Sequence, residues 1–341
     1  MGRLTVLPVR DAGELRRFLD VPYQLHHDEP RWVPPLRSDL VARVRRRRNP
    51  FWKRAEGQFF LARRGSAMVG RISVHRDIAE GADRRTALWG WFDAADADAS
   101  GALLETARGW AREAGATSVV GPSSFHALDE AGLLVEGHSE DASFLSPWHP
   151  PAYERMVCDA GLVASGDLVV YRLPVQAGSP PSRHPMRLRD VEGVVLDRAG
   201  DLPGVVAGHP AAWALTTDEV RARFARLAPT MDPGLCVVGD AGVAVAVPDL
   251  NEVLVRIREG RGPSAVARAL RAGRETRAGA AVAFLAGDAR ALLPALVEAA
   301  SGSGYRHLDV TVAVAATAAV DAAVACGGRP TRRYRSFRMT P

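Results

Sequence analysis

The chain has 341 residues, which is too long for one ordinary hydrophobic core and predicts two domains. Hydrophobic residues make up 47% and charged residues 24%, a balance that excludes extensive disorder. No apolar run reaches the roughly 18 residues that a membrane span needs, and the first residues lack the apolar core and cleavage site of a signal peptide. We therefore expect a cytoplasmic protein that makes no membrane contact.

The cysteines and basic residues point to no metal or disulfide chemistry. Cys158, Cys236 and Cys326 are widely spaced and odd in number, so we expect them to pack in the interior and predict no metal site. The formal charge is +5, and Lys53 is the only lysine among 44 basic residues, which indicates an arginine-rich coding background.

An arginine run extends from Arg43 to Arg48. It could bind RNA, phosphates or an acidic membrane surface. The alternative, which we favour, is a solvated helix end that leads into Asn49 and Pro50. Interleaved stacking aromatics would have strengthened the nucleic-acid interpretation, but only Phe51 and Trp52 follow the run.

The first half alternates strand and helix patterns that end at glycines. In chain order the sequence predicts a hairpin over 58–74, a strand over 88–92, a helix over 101–114, a strand over 117–120, a helix over 151–159 and a strand over 167–173. Gly115 and Gly161 follow the two helices, where a left-handed residue is favoured. Residues 174–185 are rich in Pro, Gly and Ser and are typical of a linker.

The second half repeats this order. It predicts a hairpin over 235–247, a strand over 280–285, a helix over 288–300, a strand over 307–314, a helix over 317–325 and a strand over 334–338. Both halves end in a helix with a buried cysteine, a glycine stop and a strand with Tyr-Arg. A duplication explains this repetition, although α/β chains often alternate in this way. We predict domains over 1–173 and 186–341, joined by the linker 174–185.

Several strings, together with the element order, resemble a family of bacterial proteins with two tandem GNAT-like acyltransferase domains. The strings are DEPRWVPPL at 28–36, RNPFW at 48–52, DEAGLLVEG at 129–137, PWHPPAY at 147–153 and VPDLN at 247–251. The resemblance covers nearly the whole chain and is more specific in the first half. It implies an α/β fold of the α+β type, with a mixed sheet in each domain.

The resemblance also implies an acyl donor, either acetyl-CoA or another acyl-CoA. GNAT enzymes hold its pyrophosphate where a glycine-rich loop opens a helix, because glycine lets phosphate approach the backbone and the helix N-terminus carries free N–H groups. In the first half, 93–101 has three aspartates and one glycine, so we expect no donor there. In the second half we predict cofactor binding by Gly287 and Arg290, although a lone glycine is also consistent with a simple turn.

Acyl transfer needs a base for the amine proton and an acid for the thiolate. Asp129 and Glu130 lie in a predicted loop after a strand, where functional residues are common, and Glu136 is a third candidate base. Tyr334 on the last strand is a candidate acid. The alternatives are a solvated acidic loop and an ordinary half-buried tyrosine.

Further polar and aromatic residues are predicted to bind substrate: Trp52, His126, His149, Tyr153, Asp249 and Asn251. The prolines around His149 also suit a rigid helix entry, and Asp249 and Asn251 also suit a cap.

These residues predict a GNAT-like transferase that acylates a small amine or amino-acid-like substrate. Two alternatives remain open: a catalytically silent GNAT-fold binding module and an aminoacyl-tRNA-dependent transferase, for which tRNA would be the one nucleic-acid partner. The sequence does not determine the acyl group, the acceptor or the oligomeric state.

Overall fold

The structure is a computed structural model that describes residues 2–126, 128–176, 186–211, 214–255 and 278–341. The strands are β1 Leu4–Pro8, β2 Ala55–Arg64, β3 Ala67–Asp77, β4 Thr86–Ala94, β5 Ser118–Gly121, β6 Leu133–Glu136, β7 Val163–Pro174, β8 Cys236–Gly239, β9 Gly242–Pro248, β10 Gly279–Gly287, β11 His307–Ala313 and β12 Arg329–Met339. The helices are α1 Ala12–Leu25, α2 Arg37–Val44, α3 Ala97–Glu113, α4 Ala152–Asp159, α5 Leu188–Asp197, α6 Thr217–Leu227, α7 Asn251–Leu254, α8 Ala289–Gly302 and α9 Thr317–Ala325.

The strands form one mixed sheet in the order β1-β2-β3-β4-β5-β12-β7-β11-β10-β9-β8, with β6 paired to β12. The pairs β4–β5 and β10–β11 are parallel, and the other neighbours are antiparallel. The α/β prediction with a mixed sheet is confirmed.

The last strand of each half lies beside strands of the other half. β7, which ends the first half, pairs with β11, and β12, which ends the chain, pairs with β5. β7 and β12 also pair with each other over much of their length. The sheet is therefore continuous through the centre of the molecule. The predicted boundary falls mainly on 177–185, outside the described residues, and the division into two domains stays a prediction.

Local signals set the helix ends. The Asp96 side chain accepts a hydrogen bond from the Ala99 N–H, so α3 begins four residues before the predicted start at 101. Gly115 and Gly161 follow α3 and α4 with φ of 80° and 84°, a region that favours glycine. The glycine stops predicted from the sequence therefore coincide with left-handed backbone.

The largest apolar cluster joins the two halves. It includes Leu88 and Leu168 from the first half and Leu235 and Leu293 from the second. The cysteine prediction is wrong for Cys158, which is exposed, while Cys236 and Cys326 are half-buried. Cys158 lies near the end of the short helix α4, whose buried positions include Tyr153 and Val157, and its side chain lies outside that apolar face.

No helix among the described residues is both long and apolar enough to cross a bilayer. Within those same ranges, no group of three or more His, Cys, Asp or Glu side chains is placed to hold a metal ion.

Candidate active site

A cavity of about 390 Å³ lies between elements of the two halves. We call it the first cavity. The first half contributes α2 and the loops around β5 and before α4, and the second half contributes α6 and α7. Its lining residues are mainly apolar, with charged groups confined to two places. This combination is typical of a site that binds a ligand with an apolar body and a polar head.

Apolar side chains form one stretch of the lining of the first cavity. Val33, Leu36, Phe144, Leu250 and Leu254 line it and pack against one another as one cluster. Asn251 lines the same cavity, so this stretch suits an alkyl chain with a polar group beside it.

Four charged residues form a wall of the first cavity and also line a second cavity of about 260 Å³. We call Arg43, Asp129, Arg223 and Arg226 the shared wall. Arg223 donates a short hydrogen bond to the Asp129 carboxylate, and Arg226 donates another at 3.3 Å. Burial alone would raise the pKa of Asp129, but the three guanidinium groups outweigh it and hold that pKa well below its usual range.

The depressed pKa changes the expected role of Asp129. A carboxylate that stays ionised and bound between two arginines is a weak proton acceptor. The structure therefore favours Asp129 as a fixed anion that orients the wall over the predicted role as a base.

Glu130 lines the first cavity beside the shared wall. Its carboxylate accepts hydrogen bonds from Arg43 at 3.2 Å and from the Ser124 hydroxyl at 3.3 Å. About a third of the side chain is exposed. Of the three predicted bases, Glu130 combines an accessible carboxylate with a place on the cavity surface.

A second charged group on the first cavity was missed by sequence reasoning. Asp93 accepts hydrogen bonds from Arg71 at 2.6 Å and from the His26 ring at 2.7 Å, and all three are buried. Burial raises the pKa of Asp93, yet Arg71 and His26 lower it to about 2. The sequence places Asp93 in a phosphate-facing loop, which is wrong, because Asp93 is the eighth residue of strand β4. The sequence contained one signal for this site, because a carboxylate that directly follows the apolar run 88–92 can lie at the end of a buried strand.

His149 also borders the first cavity and is buried. Its Nδ1 accepts a hydrogen bond from the Leu134 N–H at 3.2 Å, so the neutral ring carries its proton on Nε2. Burial lowers the pKa of His149 to about 4, and the ring is neutral at pH 7. His149 is therefore a hydrogen-bond donor rather than a base.

Glu136 and the two predicted tyrosines are among the predicted residues that lie outside both cavities. Glu136 ends β6 with its side chain largely exposed and paired to Arg333 at 3.2 Å. The Tyr334 hydroxyl donates to the Pro147 carbonyl at 2.9 Å, and burial raises the pKa of Tyr334. The Tyr153 hydroxyl accepts from the Ala94 N–H at 2.9 Å. Both tyrosines are fully buried, so their hydroxyls act within the fold.

The remaining substrate candidates are divided. Asn251 lines the first cavity and donates to the Ala142 carbonyl at 3.0 Å. Asp249 accepts from the Asn251 N–H at 2.9 Å and from the Phe144 N–H at 3.2 Å, while Leu250 is the N-cap of α7. His126 lines the second cavity, and its Nδ1 accepts from the Leu128 N–H. Trp52 lies outside both cavities. The Arg46 guanidinium stacks over its ring at 4.4 Å from the ring centre.

An aspartate caps both helices at which a GNAT enzyme would hold pyrophosphate: α3, where we expect no donor, and α8, where we predict one. At α3, Asp96 already caps the N-terminus. At α8, Asp288 accepts from the Arg290 N–H at 3.0 Å, and the Arg290 side chain is mostly exposed beside Asp321. Gly287 is required for another reason: a Cβ there would lie 2.1 Å from the Ala241 carbonyl oxygen. This glycine allows the close approach of the neighbouring hairpin, and its predicted contact with the donor stays a prediction.

Comparison with known proteins places this site in a family. No family model matches the chain. The bacterial ceramide synthase of Caulobacter vibrioides is 30% identical over 280 residues, which cover 75% of this chain and 72% of that protein. The chain belongs to the bacterial ceramide synthase family. The chain is also 29% identical to Protein YghO of Escherichia coli over 164 residues, 47% of this chain and 42% of YghO.

The ceramide synthase family relationship agrees with the fold. A solved tandem GNAT protein from the clavulanic acid biosynthesis pathway matches 99% of this chain and 98% of its own, with a TM-score of 0.54 and 16% identity. The tandem GNAT resemblance is thus confirmed, and the chain is a GNAT-like N-acyltransferase.

Proposed function

We propose that the chain transfers a long acyl group from an acyl-CoA thioester to the amine of a sphingoid base. The observation that carries this proposal is the first cavity, in which an apolar cluster and the shared wall occur together. Burial of an alkyl chain contributes about 0.8 kcal/mol for each CH₂ group, which an acetyl group cannot supply. The family relationship to a ceramide synthase supports the same substrate class.

The reaction forms two bonds and breaks two. The neutral amine nitrogen attacks the thioester carbonyl carbon, so that a C–N bond forms and the C–S bond breaks. The N–H bond of the amine also breaks, and its proton ends on the departing sulfur as the S–H of the thiol. The products are an amide and a thiol, so no further reactant is needed.

Each charged group has a separate task in this proposal. Glu130 accepts the amine proton, because its carboxylate is accessible on the cavity surface. The guanidinium groups of Arg43 and Arg223 stabilise the carbonyl oxygen as it becomes negative. Asp129 holds Arg223 and Arg226 in place and remains ionised throughout.

In this proposal the apolar cluster binds the alkyl chain of the substrate, and the shared wall binds its polar end. Leu36 and Leu254 contact alkyl carbon, while water is excluded by their packing against Phe144. Water exclusion also protects the thioester from hydrolysis. A cytoplasmic location belongs to this proposal, and cell fractionation tests it.

The test is a product assay with purified protein, palmitoyl-CoA and sphinganine. We expect N-palmitoyl-sphinganine by mass spectrometry and an equal amount of released thiol. Parallel reactions replace palmitoyl-CoA with acetyl-CoA, replace sphinganine with a small polar amine, or supply aminoacyl-tRNA as donor. Amide formation confined to the acetyl or tRNA reactions would contradict the proposal, and so would no product from any long-chain pair.

A further inference from the structure

The second cavity has a wall in common with the first. Ala42 and the four residues of the shared wall line both spaces. A ligand that occupied both cavities would therefore lie against these five residues. The donor in the proposed reaction has this form, because a long acyl chain is joined through a thioester to a long polar arm.

The lining of the second cavity is positively charged. It includes four arginines, Arg43, Arg48, Arg223 and Arg226, and two carboxylates, those of Asp129 and Glu219. Glu219 is already held by the Thr216 N–H at 2.7 Å and by Arg54 at 3.5 Å. Arg43 is paired with Glu130, and Arg223 and Arg226 are paired with Asp129. Arg48 is therefore the arginine of this lining for which the described residues provide no carboxylate partner, which favours an anionic ligand there.

Buried donors in the shared wall lack acceptors. The Nε–H groups of Arg43, Arg223 and Arg226 are buried and have no hydrogen-bond acceptor among the residues that the structure describes. Arg43 and Arg223 are each more than nine-tenths buried. A buried N–H without an acceptor costs about 1–3 kcal/mol, so these donors are suited to a ligand that brings oxygen acceptors.

The usual place for the donor phosphates is closed. Asp96 and Asp288 cap the two helices that follow β4 and β10, and each puts a carboxylate where a phosphate would lie. Each carboxylate already accepts a first-turn N–H group that a phosphate would otherwise bind. This occupancy favours another cationic surface for the phosphate-bearing end of the donor.

We propose that the second cavity binds the phosphopantetheine arm of the thioester donor, with its phosphate at Arg48 and its acyl chain passing Ala42 into the first cavity. This inference rests on the proposed acyl transfer. Arg48 is exposed and follows Arg45 and Arg47, so it lies where the cavity meets the arginine run. The arm has two natural sources, free coenzyme A and an acyl carrier protein, and both present the same phosphate and thioester.

The test measures binding of coenzyme A by isothermal titration calorimetry. Arg48→Ala removes the phosphate contact, and we expect about tenfold weaker binding, which corresponds to about 1.4 kcal/mol. Arg221→Ala is the matched control, because Arg221 is an exposed arginine on α6 that pairs with Asp218; it should bind as the wild type does. Leu254→Trp changes a residue that lines the first cavity and not the second, so it should leave coenzyme A binding intact and weaken the binding of palmitoyl-CoA toward that level.

A second titration uses phosphopantetheinylated acyl carrier protein. Weaker carrier binding in Arg45→Ala/Arg47→Ala with unchanged coenzyme A binding identifies the carrier as the source and supports the inference. The inference is overturned if Arg290→Ala weakens binding while Arg48→Ala does not, or if the wild type binds neither probe. A third outcome separates this inference from the proposed function. If the wild type forms the amide and Arg48→Ala has the same KM for acyl-CoA as the wild type, this inference fails while the proposed function stands.

Discussion

The Arg223 guanidinium on α6 donates a hydrogen bond to the Asp129 carboxylate in the loop after β5, although 94 residues separate them in sequence. This pair joins the two halves at the wall between the cavities. Arg226 adds a second donor to the same Asp129 oxygen. The pair is therefore both a structural link and the frame of the proposed oxyanion site.

Asp129→Asn should destabilise the protein by about 3 kcal/mol, because it leaves the buried charge of Arg223 without its anion. Urea denaturation measures the free energy of unfolding. Asp218→Asn is the control: it breaks the exposed pair with Lys53 and should cost less than about 1 kcal/mol. Wild-type stability in Asp129→Asn would contradict the role of Asp129 as the structural partner of Arg223.

Glu130→Gln should lower kcat about a hundredfold and also lower the melting temperature, because the buried guanidinium of Arg43 loses the carboxylate that it pairs with. The amide keeps the shape and the oxygen that accepts from Arg43, but it cannot take a proton. The matched control is Glu136→Gln, since Glu136 is exposed and lies outside both cavities. Steady-state kinetics with palmitoyl-CoA and sphinganine distinguish the two. Equal losses in both variants would place the base elsewhere.

Leu254→Trp should shift the preferred acyl donor to a shorter chain, because the larger side chain fills part of the apolar cluster. The measurement compares kcat/KM for acyl-CoA donors of 8 to 18 carbons. Burial of the ten additional CH₂ groups would contribute about 8 kcal/mol. Val324→Trp on the exposed face of α9 is the control and should keep the wild-type preference. If both variants keep the wild-type dependence of kcat/KM on acyl length, the acyl chain binds outside the first cavity.

Tyr334→Phe should cost about 1 kcal/mol of stability, the usual effect of losing one buried hydrogen bond, here to the Pro147 carbonyl. Turnover should stay within about twofold of the wild type. Thermal denaturation and kinetics on the same preparation check both parts. A large fall in kcat at unchanged stability would support the predicted role of Tyr334 as the acid for the thiolate.

Stability should decrease as the pH falls from about 7 to about 4. Burial lowers the pKa of His75 to about 3 and the pKa of His149 and His209 to about 4, against about 6.5 in the unfolded chain. Between these values the unfolded chain binds protons that the folded chain does not, so each histidine removes about 1 kcal/mol for each pH unit.

Urea denaturation at a series of pH values measures this slope. His149→Gln should give a shallower slope, whereas His27→Gln, which changes an exposed ring, should not. A slope that is identical in all three proteins would assign the acid sensitivity to other groups.

The sequence by itself determined most of the local structure. The apolar runs predicted the two hairpins, and Gly115 and Gly161 marked the ends of α3 and α4, because an αL position favours glycine whatever surrounds it. The repeated element order and the short strings gave the tandem GNAT fold. Glu130 and His149 were found by residue type and by position in those strings, and both lie on the first cavity.

Only the tertiary structure decided which groups meet. Asp93 pairs with His26 across 67 residues, and Asp129 pairs with Arg223 across 94, so no short-range pattern records either contact. The protonation behaviour of these carboxylates depends on the guanidinium groups that folding brings beside them. The pairing of β7 with β11 and of β12 with β5 was likewise decided by the tertiary structure. The sequence of a strand determines which of its faces is buried, but it does not determine which neighbouring strand it pairs with.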